Sequence, residues 1–516
     1  MRQFASTRAC FNHPDTCRRM TKANRPILAA SDELTEAVEL DLNAALAPLL
    51  AQRNQAPIIR PSRAADVAEL IDQSYPQGGE SLAQLVAQIN HATERYPRRN
   101  THPGFFGWIA PSGLPSDPLT HAMVAVLNEN VGGYWSSPVG TTIEKTVIRW
   151  LADLVEFPRE SQGVFLSGGS MANMCGIASA CSKRFGVEFR SRGLAAFSGE
   201  SRPVIICSRA AHFSIRRAAV LLGIGTDNIV TIDTDDEFRM RVDALEAALG
   251  EHDNIICVVA SAGTTNTGAI DPLPQIADLC GARDIWLHVD AAYGAGGMMS
   301  AELRPRYRGI ERADSVVMDM HKWFYQSLAG SLLLYREPRW ARQLFSESSD
   351  YLRMNEDDSE EQFGFFSLSP ELSRRFRALP FYISMRHHGL ERLGRNALHN
   401  VQCAEYLAQR VRTEQDMELV AAPQLSILCF RMHPAGLDDE AVDRLNTAIR
   451  DRIQLEGDYL VSPTQVDGRA VLRVCIINHA TRAEHVDGLL DSILHISRDL
   501  LAQGDEQPHI HLPDNL

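Results

Sequence analysis

Apolar and polar positions alternate in blocks through the middle of the chain. Short apolar runs predict strands: "PVIICS", "NIVTI", "NIICVVASAG", "IWLHVDAAYG", "SVVMDM" and "GSLLLYRE". A further strand ends at Leu166 in "FLSGGSMANMCG". Other segments carry apolar residues at helical spacing: "SMANMCGIASACSKRFG", "HFSIRRAAVLLG", "RVDALEAAL" and "LPQIADLCGAR". Apolar strands separated by short helices predict an α/β unit with a mostly parallel sheet covered on both faces.

The flanks read differently. Residues 31–100 predict a helical segment, opened in "SDELTEAVELDLNAALAPLL" by Ser31 as cap and Glu33 in the first turn. From about residue 100 to 160 the texture turns to Gly, Pro and aromatics, which suits loops that line a pocket. An acidic stretch with little periodicity covers 346–369. "RRFRALPFYISMRHHGLERLGRNALHNVQCAEYLAQRV" reads as helical, and "LSILCFRM", "DDEAVDRLNTAIRDRIQ" and "AVLRVCIIN" predict a small α+β domain. The expected division is a tail (1–30), the helical segment (31–100), a large domain (101–385), a small domain (386–500) and a tail (501–516).

Composition narrows the function. The 516 residues are 45% hydrophobic and 22% charged, with a formal net charge of -14. That acidity argues against a nucleic-acid or anionic-membrane partner, both of which need a basic face. No apolar run is long enough to cross a membrane. The ten Cys show no CxxC pair and no metal-ligand spacing, so buried free thiols in a reducing, cytoplasmic setting are expected, and no metal site. "MRQFASTRACFNHPDTCRRM" lacks the apolar core of a secretory signal; it reads as a tail, a transit-like leader, or a stretch upstream of a start at Met20.

The candidate chemistry gathers at strand ends. Gly168, Gly169 and Ser170 open a helix, where free N–H groups and the dipole favour a phosphate. Asp290 ends an apolar strand and needs a cationic partner, which a protonated ring nitrogen supplies; Ala291 and Ala292 after it leave a flat surface. Lys322, in "DMHKWF", is the residue type that condenses with an aldehyde when buried. His212 follows another strand, where it can stack on a ring or cap the helix. "SAGTTNTGAIDPL" adds small hydroxyl residues at a fourth strand end. A phosphate cradle, an acid for a ring nitrogen and a Lys for an aldehyde together match pyridoxal 5′-phosphate.

The segments "HPGFFGW", "SSPVGTTIE", "SGGSMAN", "AAHFSIRRAA", "GTTNTGAIDPL", "HVDAAYG", "DMHKW" and "ELSRRFRAL" resemble the group II pyridoxal-phosphate-dependent amino-acid decarboxylases, which include aromatic-L-amino-acid and glutamate decarboxylases. The resemblance covers roughly residues 90 to 490. It implies the type I (aspartate aminotransferase-like) α/β fold and a homodimer with active sites at the interface. By the same resemblance Lys322 carries the cofactor, Asp290 pairs with its ring nitrogen, Ala292 touches the ring and His212 stacks on it. Gly168, Gly169 and Ser170 hold the phosphate, with Thr265 and His321 close by. The activity implied is decarboxylation of an L-amino acid to an amine and CO2.

The family resemblance also identifies 346–369 as a mobile catalytic loop whose Tyr protonates the carbanion. Counting back from "SRRFR" puts Phe365 at that position, and Phe cannot donate a proton. Phe there resembles the family's aromatic acetaldehyde synthases, which release an aldehyde, so aldehyde formation stands as an alternative, with His212, Tyr351 or a water as other donors. A transaminase is a further alternative on the same fold, but it would typically grip the α-carboxylate with an Arg. Phe105, Trp108 and Trp135, from segments resembling the family's substrate pocket, bring rings and no cation. A distal carboxylate would want an Arg or Lys clamp, so the expected substrate is aromatic or apolar.

Overall fold

The structure is a computed structural model that describes residues 42–71, 73–110, 113–197, 202–346 and 363–503. The chain forms two compact units. One comprises residues 1–53 and 62–96, and its described part is helical: Leu42–Gln52, Ala64–Ala68 and Leu82–Arg95. The cap expected at Ser31 lies outside the described residues. The other unit, residues 54–61 and 97–516, contains both sheets.

The strands stand where the apolar runs predict them. They are β1 (Gln162–Leu166), β2 (Val204–Ser208), β3 (Ile229–Ile232), β4 (Ile255–Ser261), β5 (Trp286–Asp290), β6 (Ser315–Asp319) and β7 (Ser331–Tyr335). They form one sheet in the order β1-β7-β6-β5-β4-β2-β3. The pairs β2/β3, β2/β4, β4/β5 and β5/β6 are parallel; β7 runs antiparallel to both β6 and β1. All seven residues of β4 are buried, as a strand covered on both faces requires. The helix Gly169–Phe185 lies against this sheet and buries Ala172, Cys175, Ile177, Ala180 and Cys181. The eight described cysteines are all buried free thiols.

A second sheet is antiparallel, with β8 (Met417–Ala421), β9 (Ile427–Met432), β10 (Ser462–Val466) and β11 (Arg469–Cys475) in the order β10-β11-β9-β8. The helices Leu390–Thr413, Asp439–Glu456 and Ala483–Gln503 contribute Leu407, Ile449 and Ile493 to the core beneath it. The helical run expected through this region is broken at Gly389, whose φ of +77° favours glycine. No described helix is long and apolar enough to cross a membrane.

Candidate active site

In a parallel sheet, ligands bind beyond the carboxyl ends of the strands. Here those ends converge. His212 follows β2, Ser261 ends β4, Asp290 ends β5, and Asp319 ends β6 with Lys322 one turn later. β5 and β6 are neighbours, with Asp290 opposite Val317, so the carboxylate and the lysine come from adjacent strands. Together with Ser167–Met171, these residues line a cavity of about 470 Å³. Gly168, Gly169, Ser170, His212, Thr265, Asp290, Ala292, His321 and Lys322 all line it.

Lys322 Nζ lies 2.8 Å from Asp319 Oδ2, and the lysine side chain keeps about a fifth of its surface open (22%). Burial pulls the ammonium down, but the carboxylates of Asp319 and Asp290 outweigh it and hold Lys322 above its ordinary pKa. Burial likewise works to raise Asp319; Lys322, His321 and the Ser331 hydroxyl overcome it and hold Asp319 below its ordinary range. His321 Nε2 is 3.8 Å from Asp319, and its Nδ1 is 3.0 Å from the Gly330 carbonyl.

Asp290 is held by neutral donors. Its Oδ2 accepts from Asn173 Nδ2 (2.9 Å) and its Oδ1 from the Ala292 N–H (3.1 Å). Among the described residues no ion pair neutralises it, so a cationic ring nitrogen would fill a vacant role. Asn173 also reaches Ser214 Oγ (2.8 Å) and His288 Nε2 (3.0 Å), and Ser214 Oγ lies 2.9 Å from His212 Nδ1. Burial lowers the His212 pKa, with Lys322 and Arg217 adding to the effect and Asp290 and Asp319 opposing it. Burial brings His288 down to about 4.

The residues present fit pyridoxal phosphate. A Cβ built on Gly168 would meet nothing within 4 Å, so the backbone at the helix start faces open space, where a phosphate can approach. A Cβ on Gly169 would come within 3.0 Å of both Asp319 oxygens, so glycine is needed there for a different reason. An amine, a carboxylate lacking a cation, an imidazole and a helix N-terminus in one cavity are the donor set this cofactor needs.

Other expected site residues lie elsewhere. Phe105 packs with Ile58, Ile59 and Leu460 in a small apolar cluster and bridges to Leu460. Trp108 lies under the Arg98 guanidinium at 4.0 Å, and Trp135 is 69% exposed. None of these three lines the cavity. Phe365 does not line it either. It is fully buried in the turn Phe365–Ser367, where its N–H donates to Gly132 O (2.9 Å) and Arg374 stacks over its ring at 4.4 Å. Residues 347–362 of the expected loop, with Tyr351, lie outside the described residues.

Sequence reasoning missed Asp319, Asn173, Ser214 and His288. Two signals were available: an acid three positions before Lys322, and a histidine two positions before Asp290, hence on the same face of β5.

Comparison with known proteins agrees with this geometry. A family model described as the pyridoxal-dependent decarboxylase conserved domain matches residues 65–433. An aromatic-L-amino-acid decarboxylase of Bacillus atrophaeus is 30% identical over 421 residues, covering 81% of this chain and 85% of its own. An L-2,4-diaminobutyrate decarboxylase of Rhizobium meliloti (strain 1021) is 31% identical over 430 residues, 82% of this chain and 84% of its own. Among solved structures, mouse CSAD superposes with a TM-score of 0.83 at 25% identity, covering 91% of this chain and all of that one (100%).

Proposed function

This chain belongs to the pyridoxal-dependent decarboxylase family, and from that premise we propose that it converts an aromatic or apolar L-amino acid to its amine and CO2. The observation that carries the reading is the meeting of Lys322, Asp290 and His212 on one cavity beside a helix N-terminus. Bound pyridoxal phosphate supplies a carbonyl for amine condensation and a ring that accepts the electron pair of the broken Cα–carboxylate bond.

The protein's own groups do the rest. Lys322 would be the attachment point, and its amine lies 2.8 Å from the Asp319 carboxylate. Asp290, oriented by Asn173 and the Ala292 N–H, would pair with the cofactor's ring nitrogen and favour its protonated form. His212 lines the cavity, and Ser167–Ser170 present the helix start to a phosphate. Among the described lining residues there is no Arg, which supports a substrate without a distal carboxylate and weighs against a transaminase. A homodimer belongs to the same proposal. Leu119, Met123, Val126 and Leu127, exposed on one face of the helix Asp117–Leu127, support it.

The test is a panel of L-amino acids that includes tryptophan, tyrosine, phenylalanine, 2,4-diaminobutyrate and glutamate, with products identified by mass. Amines from the aromatic members are expected. Turnover of diaminobutyrate or glutamate alone would overturn the substrate class, and stoichiometric peroxide with ammonia would overturn the amine product.

A further inference from the structure

A chain of hydrogen bonds runs from the sheet interior to the cavity, and its direction can be read from one end. It starts at Trp286, whose indole N–H can only donate. That N–H reaches Ser315 Oγ at 2.9 Å. The Ser315 hydroxyl hydrogen is therefore free to go to His288 Nδ1, 2.7 Å away. With Nδ1 accepting, His288 carries its proton on Nε2 and donates to Asn173 Oδ1 at 3.0 Å. That fixes the Asn173 amide: its two N–H groups go to Asp290 Oδ2 (2.9 Å) and Ser214 Oγ (2.8 Å). An ionised Asp290 accepts only, which demands the same orientation.

Ser214 Oγ, having accepted from Asn173, has one hydrogen left, and His212 Nδ1 lies 2.9 Å away. A second donor points to the same nitrogen. The Ser214 backbone N–H, which can only donate, is 3.3 Å from His212 Nδ1. His212 Nδ1 is thus an acceptor on two independent grounds, and the ring proton sits on Nε2.

We infer that Asn173, Ser214 and His288 are positioning residues that lock His212 as the neutral Nε2–H tautomer, making it a one-way hydrogen-bond donor toward the cavity. The same Asn173 amide holds Asp290, so two groups that line the cavity share one anchor. Protonating His212 would place a hydrogen on Nδ1 against two donors, so the lock also keeps the ring uncharged. The charged or titratable groups around His212 are Asp290, Lys322, Asp319 and Arg217. A substrate group facing His212 must therefore be an acceptor, such as a carboxylate oxygen, and His212 does not serve as a base from that side.

The lock is a property of the folded chain, so it can be tested without cofactor and independently of the decarboxylase reading. The full chain would be labelled with ring-¹⁵N histidine, and His212 assigned by its loss in His212→Gln. Its nitrogen shifts are then followed from pH 6 to 8, with and without pyridoxal phosphate. The expected result is a neutral Nε2–H pattern throughout. In Ser214→Ala the pattern becomes mixed and the ring titrates at higher pH, while Ser214→Thr, which keeps a hydroxyl, restores the wild-type pattern. Asn173→Ala is expected to weaken equilibrium pyridoxal phosphate binding by about tenfold or more, since Asp290 loses a charge-assisted donor. An Nδ1–H or imidazolium pattern for wild-type His212 at pH 7 would overturn the inference. So would Ser214→Ala spectra identical to wild type.

Discussion

Asp319→Asn tests the electrostatics of the cavity. It removes the carboxylate 2.8 Å from Lys322 Nζ and leaves Asp290 as the remaining acid near the lysine. At the dielectric of a partly shielded site, a unit-charge pair at this spacing is worth about 6 kcal/mol. Retaining even a quarter of that after screening corresponds to about one pH unit. Asp319 acts to raise the Lys322 pKa, so its loss lowers it. Capture of an aldehyde requires the uncharged amine, so the pH profile of capture should move down by at least about one unit. Near neutral pH the variant should therefore load cofactor about tenfold faster.

The assay is stopped-flow absorbance of cofactor-free protein mixed with pyridoxal phosphate from pH 6 to 10. Unphosphorylated pyridoxal serves as a parallel ligand that separates phosphate affinity from amine reactivity. The stability consequence has a definite sign. A raised folded-state Lys pKa contributes stability that is full below the unfolded value and is lost as pH rises through the folded one. The variant should lose that increment at neutral pH. An unchanged or upward-shifted capture profile would refute the reasoning.

Three further outcomes are expected. Glu144 and Arg374 form a fully buried ion pair, and Glu144→Gln should destabilise the fold by about 3–5 kcal/mol in urea unfolding; a loss below about 1 kcal/mol would mean the pair is not isolated from water. Gly176→Ala places a Cβ 2.5 Å from His288 Cε1, so it should cost about 1–3 kcal/mol in thermal unfolding and disturb the His212 nitrogen shifts. Phe365→Tyr puts a hydroxyl into the core beside Arg374; stability should fall while the amine-to-aldehyde ratio stays fixed, and a changed ratio would return Phe365 to the reaction.

The large sheet was legible because its inner strands, such as β2, β4 and β6, are buried on both faces and therefore read as unbroken apolar runs. β8 and β10 were not read as strands: Met417, Glu418, Leu419 and Val420 of β8 are only partly buried, and β10 is buried only at its ends, Ser462 and Val466. Lys322, Asp290, His212 and the Gly168–Ser170 turn could be read because polar residues at the ends of apolar strands stand out. Asn173 could not, since it is polar inside an otherwise apolar helix and gains its meaning from His288, more than a hundred positions away. Phe105 was read as a substrate-pocket residue and Phe365 as the catalytic-loop position, both from motif position alone. Whether a ring faces a cavity or a core depends on packing, and theirs is set by Leu460 and Arg374, both distant in sequence.

The claim that this cavity breaks a Cα–carboxylate bond through Lys322 is tested most directly by CO2 release. A ¹³C-carboxyl L-amino acid chosen from the panel is given to cofactor-loaded wild type and Lys322→Ala, and ¹³CO2 is counted against the amine. Equal amounts of ¹³CO2 and amine from wild type are expected, with the rate falling by about a thousandfold or more in the variant. ¹³CO2 release by Lys322→Ala at a wild-type rate would contradict it.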